Sequence, residues 1–200
     1  MIWISRDFES GLQRLSDILS QDTRRLELIK ALNLQNQNGH IWYSPVLLPM
    51  IADKILIALK DLDPINADLY QSNTDQLIAL IREWANLTRS SINKAAPRYI
   101  LDHDFLSHFE KGMGIEATSV LHDSHDQQSG IQALREIKAA LRELPVKCLL
   151  INEPSASKIA KNLSNEFNLE IHNISLLSDN HQPSLIDSLN RLSAIMQHCH

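Results

Sequence analysis

A long amphipathic stretch in the middle of the chain constrains the fold more than any other feature of the sequence. Asp63-Pro64 gives a helix-start signal, and the pattern ends at Ala96-Pro97. Apolar residues recur at helical spacing in between, at Leu69, Leu77, Ile81, Trp84, Leu87 and Ile92. At about 1.5 Å per residue such a helix would be roughly 45 Å long, longer than the core of a small domain. We therefore predict that residues 64–96 form a rigid helix connecting two structural units.

The sequence after Pro97 alternates between strand and helix patterns. Short apolar stretches predict strands at residues 99–101, 114–120, 147–151 and 169–174. Helical patterns are predicted from residue 104 and over residues 130–144, 155–167 and 184–197. This alternation is typical of a parallel sheet covered by helices, so residues 97–200 are predicted to form a C-terminal α/β domain.

The sequence before the long helix predicts a smaller unit over residues 1–63. Residues 2–5 and 25–29 favour short strands, with a helix between them and a polar loop at residues 33–39. Ser44 followed by Pro45 predicts the start of a further helix. Its buried face is predicted at Leu47, Met50, Ile51, Ile55 and Leu59. The fold class is therefore α/β, with two small units joined by one long helix.

Charge and composition exclude several classes of protein. The formal net charge is -5, and no block of Lys or Arg is present that could neutralise a phosphate backbone, so nucleic acid is not expected as a partner. No apolar stretch reaches the roughly 18 to 20 residues that a membrane helix needs. The first residues show neither the basic nor the apolar region of a signal peptide. Cys148 and Cys199 lie far apart, so they are either two thiols or one disulfide that closes a long loop.

Two of the nine histidines lie where open α/β sheets bind ligands. His40 closes the polar loop before a helix, and His103 follows an apolar strand directly before another helix. A single histidine at such a position is more often a surface or hydrogen-bonded residue than a metal ligand. Position alone therefore does not identify a site.

Other histidines and acidic residues have less specific settings. His122 and His125 are a possible small metal site, but the surrounding turn-forming residues favour a solvated loop. His198 and His200 flank Cys199, where a thiolate metal site and a frayed tail are both possible and the tail is favoured. Asp102 and Asp104 flank His103 like a catalytic pair, but no nucleophile motif accompanies them. The chain is not expected to be an enzyme.

Five blocks of residues, taken together, resemble one known family. They are Trp3-Ile4-Ser5 with Phe8-Glu9, Gly39-His40-Ile41-Trp42-Tyr43-Ser44-Pro45, Asp63-Pro64-Ile65-Asn66-Ala67-Asp68-Leu69-Tyr70 with Asn73, His103-Asp104-Phe105, and Cys148-Leu149-Leu150-Ile151-Asn152-Glu153-Pro154. Their order and spacing resemble those of the zinc and manganese solute-binding proteins of bacterial ABC importers, the zinc branch in particular. The resemblance extends from residue 2 to residue 199.

This resemblance implies a metal-binding protein with two lobes joined by one rigid helix. In the family, three histidines and a carboxylate hold the metal in the cleft between the lobes. His40 matches the second of these histidines and His103 the third. The expected ion is zinc, with manganese as the alternative, and the expected partner is a membrane permease. The resemblance also implies a monomer in the periplasm or another extracytoplasmic compartment.

The chain departs from the family pattern at two positions of the implied site. The family's first strands and first histidine would lie upstream of Ile2, so the first lobe is expected to be incomplete. The family's carboxylate follows the strand near residue 174, where this chain has Ser175. Asp179, His172 and His181 are the candidate substitutes. The resemblance also implies that Cys148 and Cys199 are joined.

Three functions are compatible with these features. The first is capture of zinc and its delivery to an ABC permease. The second is a degenerate or truncated paralogue that has lost its site and acts through protein contacts. The third, a zinc hydrolase, would need an open coordination position and a general base, and it is the least favoured.

Overall fold

The computed structural model describes residues 1–20, 22–35, 37–122, 131–152, 156–174 and 184–200. Its internal contacts divide the chain into unit 1, Met1–Arg82, and unit 2, Glu83–His200. No helix in the described part of the chain is both long enough and apolar enough to cross a membrane.

The predicted long helix is confirmed. It runs without a break as α4, Ala67–Ala95, and the boundary between the units falls within it. Its buried positions are Ile78, Ile81, Trp84, Ala85, Thr88 and Ile92. Leu69 and Leu87, which belong to the same apolar pattern, are 57% and 66% exposed. Both lie about 120° around the helix from Ile81, which places them off the buried stripe.

Unit 1 is built on a small parallel sheet. Its elements are β1 Ile2–Trp3, α1 Ser10–Ile18, β2 Leu26–Glu27, α2 Leu28–Ala31, a 3-10 turn at Ile41–Tyr43, α3 Leu47–Leu62 and a 3-10 turn at Pro64–Asn66. Strand β1 pairs with β2. The core consists of Leu28, Ile29, Leu32 and Ile41. Ile41 belongs both to this core and to the 3-10 turn that follows the polar loop, so the core holds the start of that turn in place.

Helix α3 begins close to where it was predicted. The Ser44 hydroxyl accepts a hydrogen bond from the Leu47 amide at 3.1 Å, as a capping side chain does. The predicted buried face was right in part, because Leu47 and Ile51 pack against the core of unit 1. The most buried residues are instead Leu48, Ala52 and Leu56, and Met50 is 43% exposed. The apolar residues of α3 itself occur on most sides of the helix, so its sequence does not define a single buried face.

Unit 2 contains a four-stranded parallel sheet in the order β4-β3-β5-β6. Its elements are β3 Tyr99–His103, α5 Ser107–Met113, β4 Ser119–His122, α6 Ile131–Glu143, β5 Cys148–Ile151, α7 Lys158–Phe167, β6 Glu170–Asn173 and α8 Leu185–His198. One side of the sheet packs on α6 and α7 through Ile100, Leu149, Ile137 and Leu163. The α/β fold class inferred from the alternating pattern is confirmed.

Two local predictions in unit 2 need correction. Gly114 does not begin a strand but ends α5 with φ 75°, a left-handed conformation that glycine adopts without steric cost. Strand β4 consequently starts later, at Ser119. It also extends to His122, so this residue belongs to a strand and not to the predicted solvated loop. His125 lies outside the described residues.

Candidate metal centre

His40 is a buried histidine whose ring orientation is set by its own loop. It is 3% exposed and lies directly before the 3-10 turn. The Asn38 side-chain oxygen accepts hydrogen bonds from the His40 amide at 2.9 Å and from its Nδ1 at 2.7 Å. An amide oxygen only accepts, so Nδ1 carries the proton and the lone pair of the neutral ring lies on Nε2. This is the tautomer in which a histidine coordinates a metal through Nε2.

Aromatic rings hold the His40 imidazole from the sides. The Phe8 ring meets it edge-on with centroids 5.0 Å apart, and the Trp42 ring lies 5.2 Å away. Gly39 permits this packing, because a Cβ there would lie 2.7 Å from Cγ of Phe8. These apolar neighbours limit the orientations that the imidazole can adopt.

His103 occupies the carboxyl end of β3, in the centre of the sheet of unit 2. It is 4% exposed, and its ring lies 5.1 Å from that of Phe105. The chain leaves β3 for β4 on one side and later returns to β5 on the other, so the strand order reverses next to this residue. Ligands of open α/β sheets bind outside the carboxyl ends of strands at such a point. His122 is its register partner on β4.

The Asp102 carboxylate, next to His103 in sequence, has a structural role. Asp102 is 5% exposed and accepts a hydrogen bond from the Ser157 hydroxyl at 2.9 Å. The same hydroxyl accepts from the Ala160 amide and so caps α7. Successive residues of a strand point to opposite faces, so Asp102 and His103 diverge. Asp102 therefore supports the start of α7 and does not act on the His103 ring.

His172, one of the candidate substitutes for the missing carboxylate, lies near acidic and histidine partners. Its Nε2 is 3.6 Å from a carboxylate oxygen of Glu170, and its ring centroid is 5.6 Å from that of His198. Burial lowers the pKa of His172, and the neighbouring Glu170 opposes this shift. Asp179 and His181, the other candidate substitutes, lie outside the described residues.

The disulfide between Cys148 and Cys199 is confirmed. Their sulfur atoms are 2.07 Å apart and their Cα atoms 5.5 Å apart. Both residues are fully buried, so the frayed tail expected around Cys199 is wrong. Helix α8 continues to His198, and the carbonyl of Cys199 accepts a hydrogen bond from the Arg98 amide. The end of α8 is thus anchored by a covalent bond and by this hydrogen bond.

The predicted ligands are divided between the two units, with His40 in unit 1 and His103 and His172 in unit 2. Sequence reasoning did not identify Asn38, although an acceptor two residues before a candidate ligand is a recognisable signal. It also missed Glu170, which precedes His172 by two residues and therefore shares its face of the strand.

Comparisons with known proteins identify related sequences and folds. A family model described as "Zinc-uptake complex component A periplasmic" matches residues 1–198. The high-affinity zinc uptake system protein ZnuA of Bacillus subtilis (strain 168) is 28% identical over 128 residues, which cover 64% of this chain and 40% of that protein. The chain spans about two-fifths of the length of the curated relatives that it matches.

Two solved structures show the same fold at low sequence identity. The laminin binding protein of Streptococcus agalactiae, described as a bifunctional protein with adhesin and metal transporting activity, gives a TM-score of 0.85 at 19% identity. The alignment covers 99% of this chain and 79% of that one. A crystal structure of ZnuA gives 0.84 at 16% identity and covers 99% and 78%.

Proposed function

The chain belongs to the family of periplasmic zinc-uptake components, and from this premise we propose that it captures zinc and delivers it to an ABC permease. His40 and His103 are the proposed protein ligands. The ion is the transported substrate, so the protein's task is to bind it tightly and release it, without chemical change. We propose no enzymatic activity.

The orientation of the His40 ring is the observation that carries this proposal. A zinc ligand must keep a lone pair on one ring nitrogen while the other nitrogen carries the proton. The hydrogen bond from Nδ1 to Asn38 meets that need. The Phe8 and Trp42 rings restrict rotation of the imidazole, so little entropy is lost when the ion binds.

His103 supplies the second proposed ligand from the sheet of unit 2. Its position at the carboxyl end of β3, beside the point where the strand order reverses, supports this role. Two imidazoles occupy half of a tetrahedral zinc shell. Of the three candidate substitutes, Asp179 and His181 remain proposed for the other positions, together with water, whereas His172 lies beside Glu170 and His198 and is assigned below to a separate site. We retain the proposed division into a metal-binding lobe at 1–63, a connecting helix at 64–96 and a second lobe at 97–200.

The family also suggests where the chain acts. Its description names the periplasm, and the disulfide is consistent with an oxidising compartment. We therefore propose an extracytoplasmic location, action as a monomer, and a membrane permease as the partner that receives the ion.

Zinc titration with two matched variants tests the proposal. Zinc should raise the melting temperature of the wild-type chain, because a ligand that binds only the folded state adds RT ln(1 + [L]/Kd) to stability. The double variant His40→Ala with His103→Ala should lose most of this rise. His200→Ala, an exposed histidine outside the proposed site, should retain it.

The affinity is measured separately by competition with a chelator. Binding should weaken as the pH falls, because each imidazole must be neutral to bind. An unchanged zinc response in the double variant would contradict the proposal and favour the degenerate paralogue.

A further inference from the structure

We propose that unit 2 carries a second zinc site, formed by Glu170, His172 and His198, which is independent of the proposed transport site. One carboxylate oxygen and one nitrogen from each histidine lie within 4.8 Å of one another. Two imidazoles and a carboxylate are a common zinc ligand set, with water in the fourth position. All three residues belong to the described part of unit 2.

The distances between the ligand atoms suit a tetrahedral ion. Bonds of roughly 2.0 to 2.1 Å place tetrahedral zinc ligands about 3.3 Å apart. The His172 and Glu170 atoms are 3.6 Å apart, and His198 Nε2 is 2.7 Å from the same Glu170 oxygen. His198 and Glu170 are hydrogen bonded to each other in the structure, and their two atoms would move apart by about half an ångström when the ion binds. The side chains of His198 and Glu170 are each 48% exposed, so this movement is not blocked by packing.

The backbone brings these residues together from two secondary-structure elements. Glu170 and His172 alternate on β6, so both project from the same face of this edge strand. His198 is the last residue of α8, directly before the disulfide-bonded Cys199. The Lys147 ammonium also donates to the His198 carbonyl at 3.2 Å. The covalent bond and this hydrogen bond hold His198 opposite the strand.

His172 points to a ligand more directly than the other two residues. Its Nε2 is shielded from solvent, yet within the described part of the chain it forms no hydrogen bond. A buried polar atom without a hydrogen bond is uncommon and calls for an explanation such as an ion. The His172 side chain lines a groove of about 480 Å³ together with Asn173, Arg191 and His198.

A plain hydrogen bond between Glu170 and His198 is the competing explanation. Both side chains are half exposed, and exposed pairs of this kind contribute little to stability. That explanation leaves the position of His172 unaccounted for. Lys147 and Arg191 carry positive charge near the site, so we expect weaker zinc binding than at a complete three-histidine site.

The test uses the full chain with His40→Ala and His103→Ala already in place, so that the transport site cannot contribute. Zn²⁺ binding is measured by calorimetry, and Co²⁺ serves as a spectroscopic probe through its visible ligand-field bands. We expect one bound ion per chain. Adding His198→Ala should weaken its binding more than tenfold, since loss of even an outer-shell partner weakens binding roughly 10 to 100-fold.

Two further variants keep the result interpretable. Glu170→Gln preserves shape and should also weaken binding and alter the Co²⁺ bands. His200→Ala removes a neighbouring exposed histidine and should change neither. Circular dichroism confirms that each variant is folded.

Equal binding before and after His198→Ala and Glu170→Gln would overturn the second site, and so would no binding in the starting double variant. The transport site is tested by a different comparison, between the wild type and the double variant, in chains that both keep His172 and His198. The two proposals can therefore fail separately.

Discussion

Nδ1 of His40 lies 2.7 Å from the side-chain oxygen of Asn38, two residues earlier in the same loop. This contact is local in sequence, yet it decides which ring nitrogen carries the proton. With His40 as a zinc ligand, the zinc affinity of the site depends on Asn38.

Asn38→Ala should therefore lower zinc affinity while leaving the ligand itself in place. Outer-shell partners of zinc-bound histidines typically contribute 10 to 100-fold in affinity, and we expect a loss in that range. Chelator competition measures it, with the exposed neighbour Gln37→Ala as the control. Equal affinity in Asn38→Ala and the wild type would contradict the assigned role.

Gly39→Ala should disturb the same site by another route. The added Cβ would meet Cγ of Phe8 at 2.7 Å and push the ring that packs against His40. Gly11→Ala is the matched control, because a Cβ there meets nothing within 4 Å. We expect weaker zinc binding and a lower melting temperature only in the Gly39 variant. If Phe8→Ala, made in addition, does not restore part of the melting temperature of Gly39→Ala, the steric explanation is wrong.

Reduction of the Cys148–Cys199 disulfide should destabilise unit 2. The two cysteines are 51 residues apart in sequence, and the chain-entropy model gives about 4 kcal/mol for closing a loop of that length. Urea unfolding of oxidised and reduced protein, followed by circular dichroism, measures the difference. The double variant Cys148→Ala with Cys199→Ala should unfold like the reduced chain and should not respond to reductant. Identical unfolding midpoints for oxidised and reduced wild-type protein would refute this prediction.

Ser193→Ala should destabilise the contact between α4 and α8. The Ser193 hydroxyl donates to the Leu189 carbonyl at 3.0 Å and accepts from Trp84 Nε1 at 2.9 Å. Because the Ser193 hydroxyl already donates its only hydrogen to Leu189, the Thr88 hydroxyl, 2.8 Å away, must donate to the Ser193 oxygen. Removing the hydroxyl leaves two buried donors without this acceptor, which should lower the free energy of unfolding by about 1 to 3 kcal/mol. Asn190→Ala, exposed on the same helix, should change it little, and an equal effect of the two variants would rule out the hydrogen-bond explanation.

Glu110→Gln should change how stability depends on pH. Burial, assisted by the negative charges of Asp104 and Glu116, raises the pKa of Glu110 above its usual 4.5, although hydrogen bonds from Tyr99 and Ala117 partly oppose this shift. The folded state then binds the proton more tightly than the unfolded state. The tighter proton binding adds to the free energy of unfolding. This added stability is fully present below pH 4.5 and is lost as the pH rises through the folded-state pKa of Glu110.

Glutamine is neutral at every pH and keeps the acceptor oxygen. The free energy of unfolding of Glu110→Gln, relative to wild type, should therefore increase as the pH rises through that window. Chemical unfolding at a series of pH values measures the difference, and two parallel profiles would contradict it.

Features that depend on local periodicity could be predicted from the sequence. The helix over residues 67–95 and the alternation after Pro97 follow from spacings that neighbouring residues define by themselves. The buried face of α3 could be predicted only in part, because apolar residues occur on several of its sides. Only the packing of unit 1 selects Leu48, Ala52 and Leu56.

Contacts between distant residues required more than local patterns. The group of Glu170, His172 and His198 depends on β6 being an edge strand and on α8 ending beside it, and neither fact is encoded in local spacing. The disulfide was inferred only through a family resemblance. The His40 and His103 pairing in one site remains a prediction of the same origin.

The Ser157 hydroxyl caps α7 and also donates to Asp102 on β3. Aspartate is an equally common helix cap, but at this position it would place a second carboxylate against Asp102. A single atom that both accepts and donates is offered here only by a hydroxyl side chain. Evolutionary drift at position 157 should therefore be confined to serine and threonine, and the restriction comes from the neighbouring strand, since the helix by itself would tolerate more.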